Sequence, residues 1–388
     1  MMKIVIAPDS FKESLTAMEV ANAIEAGWHQ IDAEAQTIKL PMADGGEGTV
    51  QALLDATAGD WLGVEVSAPL GNRRDAGFGL LGDGSTAVVE MAQASGLHLV
   101  PRDQRNPMLT STFGTGELIL AALERGVDKI IIGIGGSATN DGGAGMMQAL
   151  GARLLDEEGV ELPPGGGALG RLANLDLCGL DPRLSQVSLE VACDVDNPLC
   201  GAKGASAVFG PQKGATPAMV AQLDANLEHY ARVIEQQHGV AVAEIPGAGA
   251  AGGLGAALAG LLKAQLKPGV EIVMDAVGLE QALQGADLVI TGEGCIDGQS
   301  VHGKTPVGVS RMAKKAGVPV VALAGSLGPG AELVHQEGIA ALFSVVPGVT
   351  NLDDALARGA ENLTLTARNL AAVWQMAGYT RPGTVTNQ

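Results

Sequence analysis

The chain has 388 residues, 46% of them hydrophobic, with a formal net charge of −19 and a pI near 4.6. That length favours two or more domains, and the charge argues against nucleic acid or an anionic membrane as a partner. A site for an anionic ligand must therefore gather its few cations locally. The four cysteines show no metal-type CxxC spacing, so we expect a reducing, cytoplasmic location.

The N-terminal segment alternates between strands and helices, as chains that form parallel sheets do. Lys3–Pro8 predicts a buried strand. Thr16 can cap the next helix, with Glu19 completing the capping pattern three residues on. A second strand is predicted at 37–40, and Asp-Gly-Gly at 44–46 opens a second helix.

From Trp61 the pattern changes to short strands joined by turns, which predicts an antiparallel meander. A helix is predicted at 115–125. Further on, the sequence predicts a strand at 189–193, a long amphipathic helix at 218–237 and another strand at 271–274.

The stretch from Lys129 to Leu150 is the centre of our interpretation of the chain. Three isoleucines at 130–132 predict a strand buried on both faces, and glycines then force a tight loop. Asn140 and Asp141 can cap the following helix, whose glycine-rich first turn would leave backbone N–H groups open to an anion. The stretch therefore predicts a phosphate-handling site.

Beyond Gly285 the alternation of strands and helices returns. Strands are predicted at 287–291, 318–324 and 341–346. Helices are predicted at 304–316, 332–337 and 352–374. The three strands and the two N-terminal strands together make a five-stranded parallel sheet of doubly wound type. The predicted fold class is α/β with two domains: residues 1–60 with 280–388, and an inserted mixed α/β domain at 61–279.

Three glycine-rich segments satisfy nucleotide-binding patterns. Residues 133–138 and 247–252 fit GxGxxG/A, and residues 298–305 fit GxxxxGK[ST]. A dinucleotide fold also needs an acidic residue ending a second strand about twenty residues on, whereas Asp156 follows a stretch that looks helical. A P-loop is disfavoured because residues 292–297 separate strand and motif.

Acidic residues follow two of the predicted strands, where doubly wound folds place ligand groups. Asp194 follows one strand, and Glu293 and Asp297 follow another. Phosphoryl transfer uses carboxylates to hold Mg²⁺ and cations to hold phosphate. Each of these residues could instead cap a helix or close a turn, and capping is favoured for Asp44 and Asp141.

Seven segments in the same order closely resemble the type-1 glycerate kinase family, over Lys3 to about Val346. They are APDSFKES at 7–14, ADGGEGT at 43–49, GIGGSATNDGGAG at 133–145, ACDVDNPLCGAKGA at 192–205, FGPQKGA at 209–215, GAGAAGGLGAAL at 247–258 and TGEGCIDGQSVHGKTP at 291–306. The resemblance implies ATP-dependent phosphorylation of D-glycerate to 2-phosphoglycerate. It also implies a flavodoxin-like domain interrupted by one with a restriction-endonuclease-like core.

From the resemblance we assign the site residues, and we expect them in a cleft between the two domains. The residues assigned to catalysis are Asp194, Lys12 and Lys304. Those assigned to glycerate are Ser10, Asn197, Asp297 and Lys213. Those assigned to ATP are Gly135, Gly136, Ser137, Asn140, Asp141, Gly252 and Gly253. Those assigned to Mg²⁺ are Asp194 and Glu293. The family motifs also include Asp44 and Glu47.

One departure from the family pattern is Cys295, where relatives usually carry arginine. It leaves open a different substrate preference. Two other functions also stay open: a nicotinamide-dependent oxidoreductase of a small hydroxy acid acting through residues 133–138, and a non-catalytic metabolite sensor. Among the histidines, only His302 invites a functional interpretation. We expect small-molecule ligands, no nucleic acid, no membrane and possible homo-oligomers.

Overall fold

The computed structural model describes residues 1–46 and 48–378. Glu47 and the side chain of His302 lie outside the described residues, so the interpretations placed on them are not examined by the structure. The chain forms two compact units, the first from Met1–Asp44 and the chain from Val273 onward, the second from Gly45–Ile272. The domain boundaries predicted from the sequence were 60/61 and 279/280.

The strands and α-helices of the described residues have the following bounds. The strands are β1 (Lys3–Ile6), β2 (Gln36–Lys39), β3 (Asp60–Ser67), β4 (Arg73–Leu80), β5 (Thr86–Glu90), β6 (Lys129–Gly133), β7 (Arg153–Leu155), β8 (Asn174–Asp176), β9 (Ser188–Ala192), β10 (Gln265–Lys267), β11 (Leu288–Ile296), β12 (Val320–Leu327) and β13 (Ile339–Ser344). The helices are α1 (Ala17–His29), α2 (Thr49–Thr57), α3 (Ala92–Ser95), α4 (Phe113–Leu123), α5 (Ala144–Ala149), α6 (Ala205–Phe209), α7 (Pro217–His238), α8 (Ala250–Ala256), α9 (Gly269–Ala276), α10 (Leu279–Leu283), α11 (Thr305–Lys315), α12 (Leu352–Ala357) and α13 (Gly359–Met376).

The first unit contains the predicted five-stranded parallel sheet, in the order β13-β12-β11-β1-β2. Numbered along this unit, the order is the flavodoxin-like 2-1-3-4-5, read from the other edge. The strand order reverses between β1 and β11, which pair in register from Ile4 and Leu288. In such sheets ligands bind outside the carboxyl ends of the strands at this switch point.

Helix α1 begins as predicted, because Thr16 and Glu19 form a capping box. The predicted last helix is interrupted: α12 ends at Ala357, and α13 begins at Gly359 after the non-helical Arg358. A side chain at Gly359 would meet Ser14 Oγ at 2.5 Å, so the chain passes Ser14 closely at this break.

The predicted strand at 271–274 is wrong, because these residues belong to helix α9. Val270, Val273 and Met274 are buried, and their i, i+3, i+4 spacing is that of one helix face. The first N–H of the helix, on Gly269, donates to Asp194 Oδ1 at 3.0 Å. Short apolar runs fit a strand or a buried helix equally well, and here the helix forms.

The second unit contains a six-stranded mixed sheet in the order β10-β9-β6-β5-β4-β3. Strands β3, β4 and β5 pair antiparallel, which confirms the predicted meander, and β5, β6, β9 and β10 pair parallel. The isoleucines of β6 are at most 1% exposed, as predicted for a strand buried on both faces. Within the described residues, no helix is long and apolar enough to cross a bilayer.

Candidate functional site

Two carboxyl groups lie at the switch point of the first unit. Asp9 follows β1, and its backbone N–H donates to Gly292 O of β11 at 2.8 Å. Glu293 is the next residue of β11. Asp9 accepts hydrogen bonds from Thr305 Oγ1 at 2.6 Å and from its neighbour's N–H, while Glu293 Oε1 accepts from Ser300 Oγ at 2.7 Å. Both carboxyl groups are therefore held by hydroxyl donors.

Burial raises the pKa of both groups. The pKa of Asp9 rises from 3.8 to about 6, chiefly through burial, and the Asp44 carboxylate adds to the rise. The pKa of Glu293 rises from 4.5 to about 7, again chiefly through burial, with Asp9 and Asp297 adding to it. Lys304 Nζ lies 3.7 Å from Glu293 Oε2 and offsets the rise only in part. We call Asp9, Asp44, Glu293 and Asp297 the acid cluster.

The acid cluster suits a divalent cation that brings other ligands with it. Within residues 1–46 and 48–378, no group of three or more His, Cys, Asp or Glu side chains is arranged to hold a metal ion. Mg²⁺ usually takes only one or two carboxylates, with water and substrate phosphates completing its shell. A cation beside Asp9 and Glu293 would relieve the repulsion that adds to the rise in their pKa. The donor set therefore fits Mg²⁺ bound together with a phosphate.

Asp194 and Asn197 shape the loop that follows β9 in the second unit. Asp194 is exposed, and one of its carboxylate oxygens accepts the first N–H of α9. Asn197 Nδ2 donates to Lys203 O at 2.7 Å, and Asn197 O accepts from Gly249 N at 3.0 Å. Their assigned contacts with Mg²⁺ and glycerate stay predictions.

The first turn of α5 is closed, so the prediction that its N–H groups are open to an anion is wrong. The N–H groups of Gly143 and Gly145 both donate to Asp141 at 3.2 Å, and that of Gly142 donates to Gly252 O at 3.0 Å. The Asp141 carboxylate is fully buried and also accepts from the N–H and hydroxyl of Thr112. Asp141 therefore caps the helix, one of the two roles that the sequence left open.

The exposed part of the glycine loop lies earlier, at Gly135 and Gly136. Just behind it, the side chain of Lys213 is only 2% exposed and donates to Ser137 Oγ at 2.6 Å and to Thr139 O at 2.7 Å. Burial lowers the pKa of Lys213 from 10.5 to about 7. Lys213 thus supports this loop from inside the unit.

The neighbouring polar side chains are also buried. Asn140 Nδ2 donates to Ser206 Oγ at 2.9 Å, while Asn140 Oδ1 and Thr139 Oγ1 have no hydrogen-bond partner in the described part of the chain. Gly252 lies against Thr139 and Asn140, and Gly253 lies against Gly142, with φ values of 70° and 92°. A Cβ at Gly252 would lie 2.0 Å from Thr139 O, so the structure gives these glycines a packing role.

The P-loop lookalike does not form a phosphate cradle, although one reason for rejecting it was wrong. Strand β11 runs to Ile296, so only Asp297 separates the strand from the motif. The N–H groups of Gln299 and Ser300 donate back to Asp297, and the Thr305 hydroxyl is engaged by a carboxylate. These donors are not available to a phosphate.

The dinucleotide pattern also lacks its second half. The residues before Asp156 form strand β7, not the expected helix, but β7 pairs antiparallel with β8 in a separate two-stranded sheet. An acidic residue at the end of a neighbouring parallel strand is what the dinucleotide fold requires. Asp156 does not meet that requirement.

The structure adds residues that the sequence analysis missed. Asp9 accepts a hydrogen bond from Thr305, and the predicted Glu293 accepts one from Ser300 and forms an ion pair with the predicted Lys304. The signal for Asp9 was present, since it directly follows a predicted buried strand. Among the other predicted residues of the first unit, Lys12 and Ser10 are exposed in the turn after β1.

The fold and site define a class of protein: a two-unit α/β enzyme whose doubly wound sheet carries carboxylates at its switch point, beside residue types used in phosphoryl transfer. A family model described as the glycerate kinase family matches residues 4–375. The chain belongs to the glycerate kinase family and is a phosphotransferase.

Individual relatives cover nearly the whole chain. A protein named glycerate kinase from Bacillus subtilis (strain 168) is 59% identical over 97% of this chain and 98% of its own length. A protein named glycerate 2-kinase from Escherichia coli (strain K12) is 56% identical, covering 96% and 97%. A crystal structure described as a glycerate kinase 2 from Salmonella typhimurium LT2 matches with a TM-score of 0.91 and 56% identity, covering 97% of this chain and 99% of that one.

Proposed function

We propose that this protein transfers the γ-phosphoryl group of ATP to the 2-hydroxyl group of D-glycerate, with Mg²⁺, forming 2-phosphoglycerate. The observation that carries the proposal is the pair of carboxyl groups, half-buried Asp9 and buried Glu293, with raised pKa at the switch point of a doubly wound sheet. The names of the relatives support the choice of glycerate and of its 2-hydroxyl group.

Each part of the proposed site has a task. Mg²⁺, when bound, neutralises charge on the transferring phosphates. Asp9 and Glu293 offer carboxylate oxygens to that cation, and Lys304, 3.7 Å from Glu293, is a cation within reach of a phosphate. Gly135 and Gly136 are exposed, and their N–H groups, which donate to no other described backbone group, are donors for phosphate oxygens in the second unit.

The proton of the glycerate hydroxyl needs an acceptor. Asp194 is the base expected from the sequence, and its carboxylate is exposed beside the N-terminus of α9. Glu293 is a second candidate if Asp9 alone holds the cation, because without a cation its pKa of about 7 matches a general base at neutral pH. Comparing Asp194→Asn with Glu293→Gln in kcat at saturating glycerate distinguishes them. The cleft between domains, the homo-oligomer and the cytoplasmic location also stay predictions.

The test mixes the purified protein with ATP, Mg²⁺ and D-glycerate and measures ADP. We expect ADP formation that depends on D-glycerate. The product is then supplied to enolase alone, and separately to phosphoglycerate mutase plus enolase. Conversion by enolase alone supports 2-phosphoglycerate. A requirement for the mutase contradicts the 2-hydroxyl assignment, and glycerate binding without ADP indicates the sensor.

A further inference from the structure

The buried lysine behind the glycine loop has unsatisfied hydrogen-bonding capacity. Lys213 Nζ carries three protons when charged, and two are accounted for by Ser137 Oγ and Thr139 O. In residues 1–46 and 48–378, no carboxylate lies within 4 Å of this ammonium group. Burial without an ion pair is costly for a lysine, so the position calls for an explanation.

Ser137 is the group between Lys213 and the exposed loop. It is 5% exposed and accepts the hydrogen bond from Lys213, but its own hydroxyl proton has no acceptor within the described residues. The N–H groups of Gly135 and Gly136 likewise donate to no other described group. Three donors of consecutive residues are thus left over at one exposed turn.

The protonation state of Lys213 decides which way the Ser137 proton can point. A charged lysine has no lone pair, so it must donate to Ser137 Oγ, and the serine proton must then be offered elsewhere. A neutral amine has a lone pair that can accept that proton, which turns the donor inward. We propose that Lys213 is a positioning residue that keeps the Ser137 hydroxyl available, so that the loop at 135–137 binds a phosphate-type oxyanion together with a proton on Lys213.

The titratable groups near the loop are Asp141, Arg105 and His98, the last on the segment that pairs with the loop through the bridge between Gly96 and Ser137. The buried Asp141 carboxylate faces Lys213 and favours its charged form, while its own oxygens are occupied by N–H and hydroxyl donors. Helix α6, which packs on the turn at 211–213, has no titratable side chain. Arg105, beside Gly214, donates to Val100 O. Because the pKa of Lys213 is about 7, an arriving anion can convert the neutral lysine to its charged form at physiological pH.

This inference rests on the proposed function only in taking the loop as a phosphate site. Its test uses sulfate, whose charge is constant between pH 6.5 and 8.5, and measures the dissociation constant by calorimetry. Above the pKa of Lys213, binding should weaken by up to tenfold per pH unit. We therefore expect the dissociation constant of the unaltered protein to rise at least tenfold over this range.

Variants separate positioning from folding. Lys213→Arg stays charged, so binding should be retained and become independent of pH. Ser137→Ala should weaken binding and flatten its pH dependence. Lys203→Met, at an exposed lysine of the same unit, should leave both unchanged. Thermal unfolding of each variant checks that it folds.

Two results would overturn the inference: sulfate binding that does not change with pH, or the same pH dependence in Lys213→Arg. ADP formation from ATP and D-glycerate is measured on the same preparations. ADP formation without pH-dependent sulfate binding would contradict the role of Lys213 and still support the proposed kinase function. Sulfate binding that depends on pH, without ADP formation, would contradict the proposed kinase function and still support the role of Lys213.

Discussion

Burial shifts the pKa of the acid cluster in the first unit and of Lys213 in the second in opposite directions. It raises the pKa of Asp9 and Glu293, with neighbouring carboxylates adding to the rise, whereas it lowers the pKa of Lys213 although the Asp141 carboxylate favours the charged lysine. Glu190 shows that partners decide the outcome: Lys129 and Lys267 contact it at 2.5 and 2.6 Å, and its pKa is lowered.

The difference shows what each group lacks. A cation would relieve the acid cluster, and an anion would relieve Lys213. In the function proposed above, Mg²⁺·ATP would supply both charges in one ligand.

The largest effect should follow removal of charge from the acid cluster. We expect Asp9→Asn and Glu293→Gln each to lower kcat by about 10²- to 10³-fold, because each removes an anionic partner of the cation that stabilises the transition state. Steady-state ADP formation measures this. Glu337→Gln, which breaks the exposed ion pair with Arg311, is the matched control and should stay within about twofold.

The packing of the second unit can be tested with two glycines. Gly252→Ala places a Cβ 2.0 Å from Thr139 O, whereas Gly201→Ala meets nothing within 4 Å, and both have positive φ. We expect both to lose about 1 kcal/mol to backbone strain, and Gly252→Ala to lose about 1–3 kcal/mol more in the free energy of unfolding. Equal losses in urea unfolding would show that Gly252 is not tightly packed.

The raised pKa values also make stability depend on pH. A carboxyl group whose pKa rises on folding holds its proton more tightly in the folded state, so its contribution falls as pH increases from the unfolded to the folded value. For Glu293 that window runs from 4.5 to about 7. Comparing ligand-free protein with Glu293→Gln from pH 4.5 to 7.5, we expect the difference in unfolding free energy to change by on the order of 2 kcal/mol. A difference in unfolding free energy that stays constant over this pH range would show that folding does not raise the pKa of Glu293.

The smallest effect concerns Cys295. It is exposed and lies two residues from Glu293 in β11, so both side chains project from the same face. Cys295→Arg adds a cation there, and we expect the acidic limb of the kcat/KM profile to move down by about one pH unit. Cys178→Arg, at an exposed cysteine of the other unit, should leave the profile where it is.

Periodicity predicted the five strands of the first sheet and most strands of the second, because residues such as Ile130 and Ile132 have one favourable environment, but it missed β10. It failed at 271–274, where four residues are too few to separate the two periods. In the site, Glu293 was found because it follows the strand predicted at 287–291, but its pKa is raised by burial and by Asp9, 284 residues away along the chain. The Asp141 carboxylate accepts a hydrogen bond from Thr112, which lies 29 residues away along the chain, and the spacing of residues within a motif does not predict such a contact.

The most direct test of the account is a crystal structure of the protein with a non-hydrolysable ATP analogue, Mg²⁺ and D-glycerate. The account predicts Mg²⁺ at about 2.0–2.1 Å from a carboxylate oxygen of Asp9 or Glu293, and a phosphate oxygen hydrogen-bonded to the turn at 135–137. Nucleotide bound away from both groups of residues would contradict it.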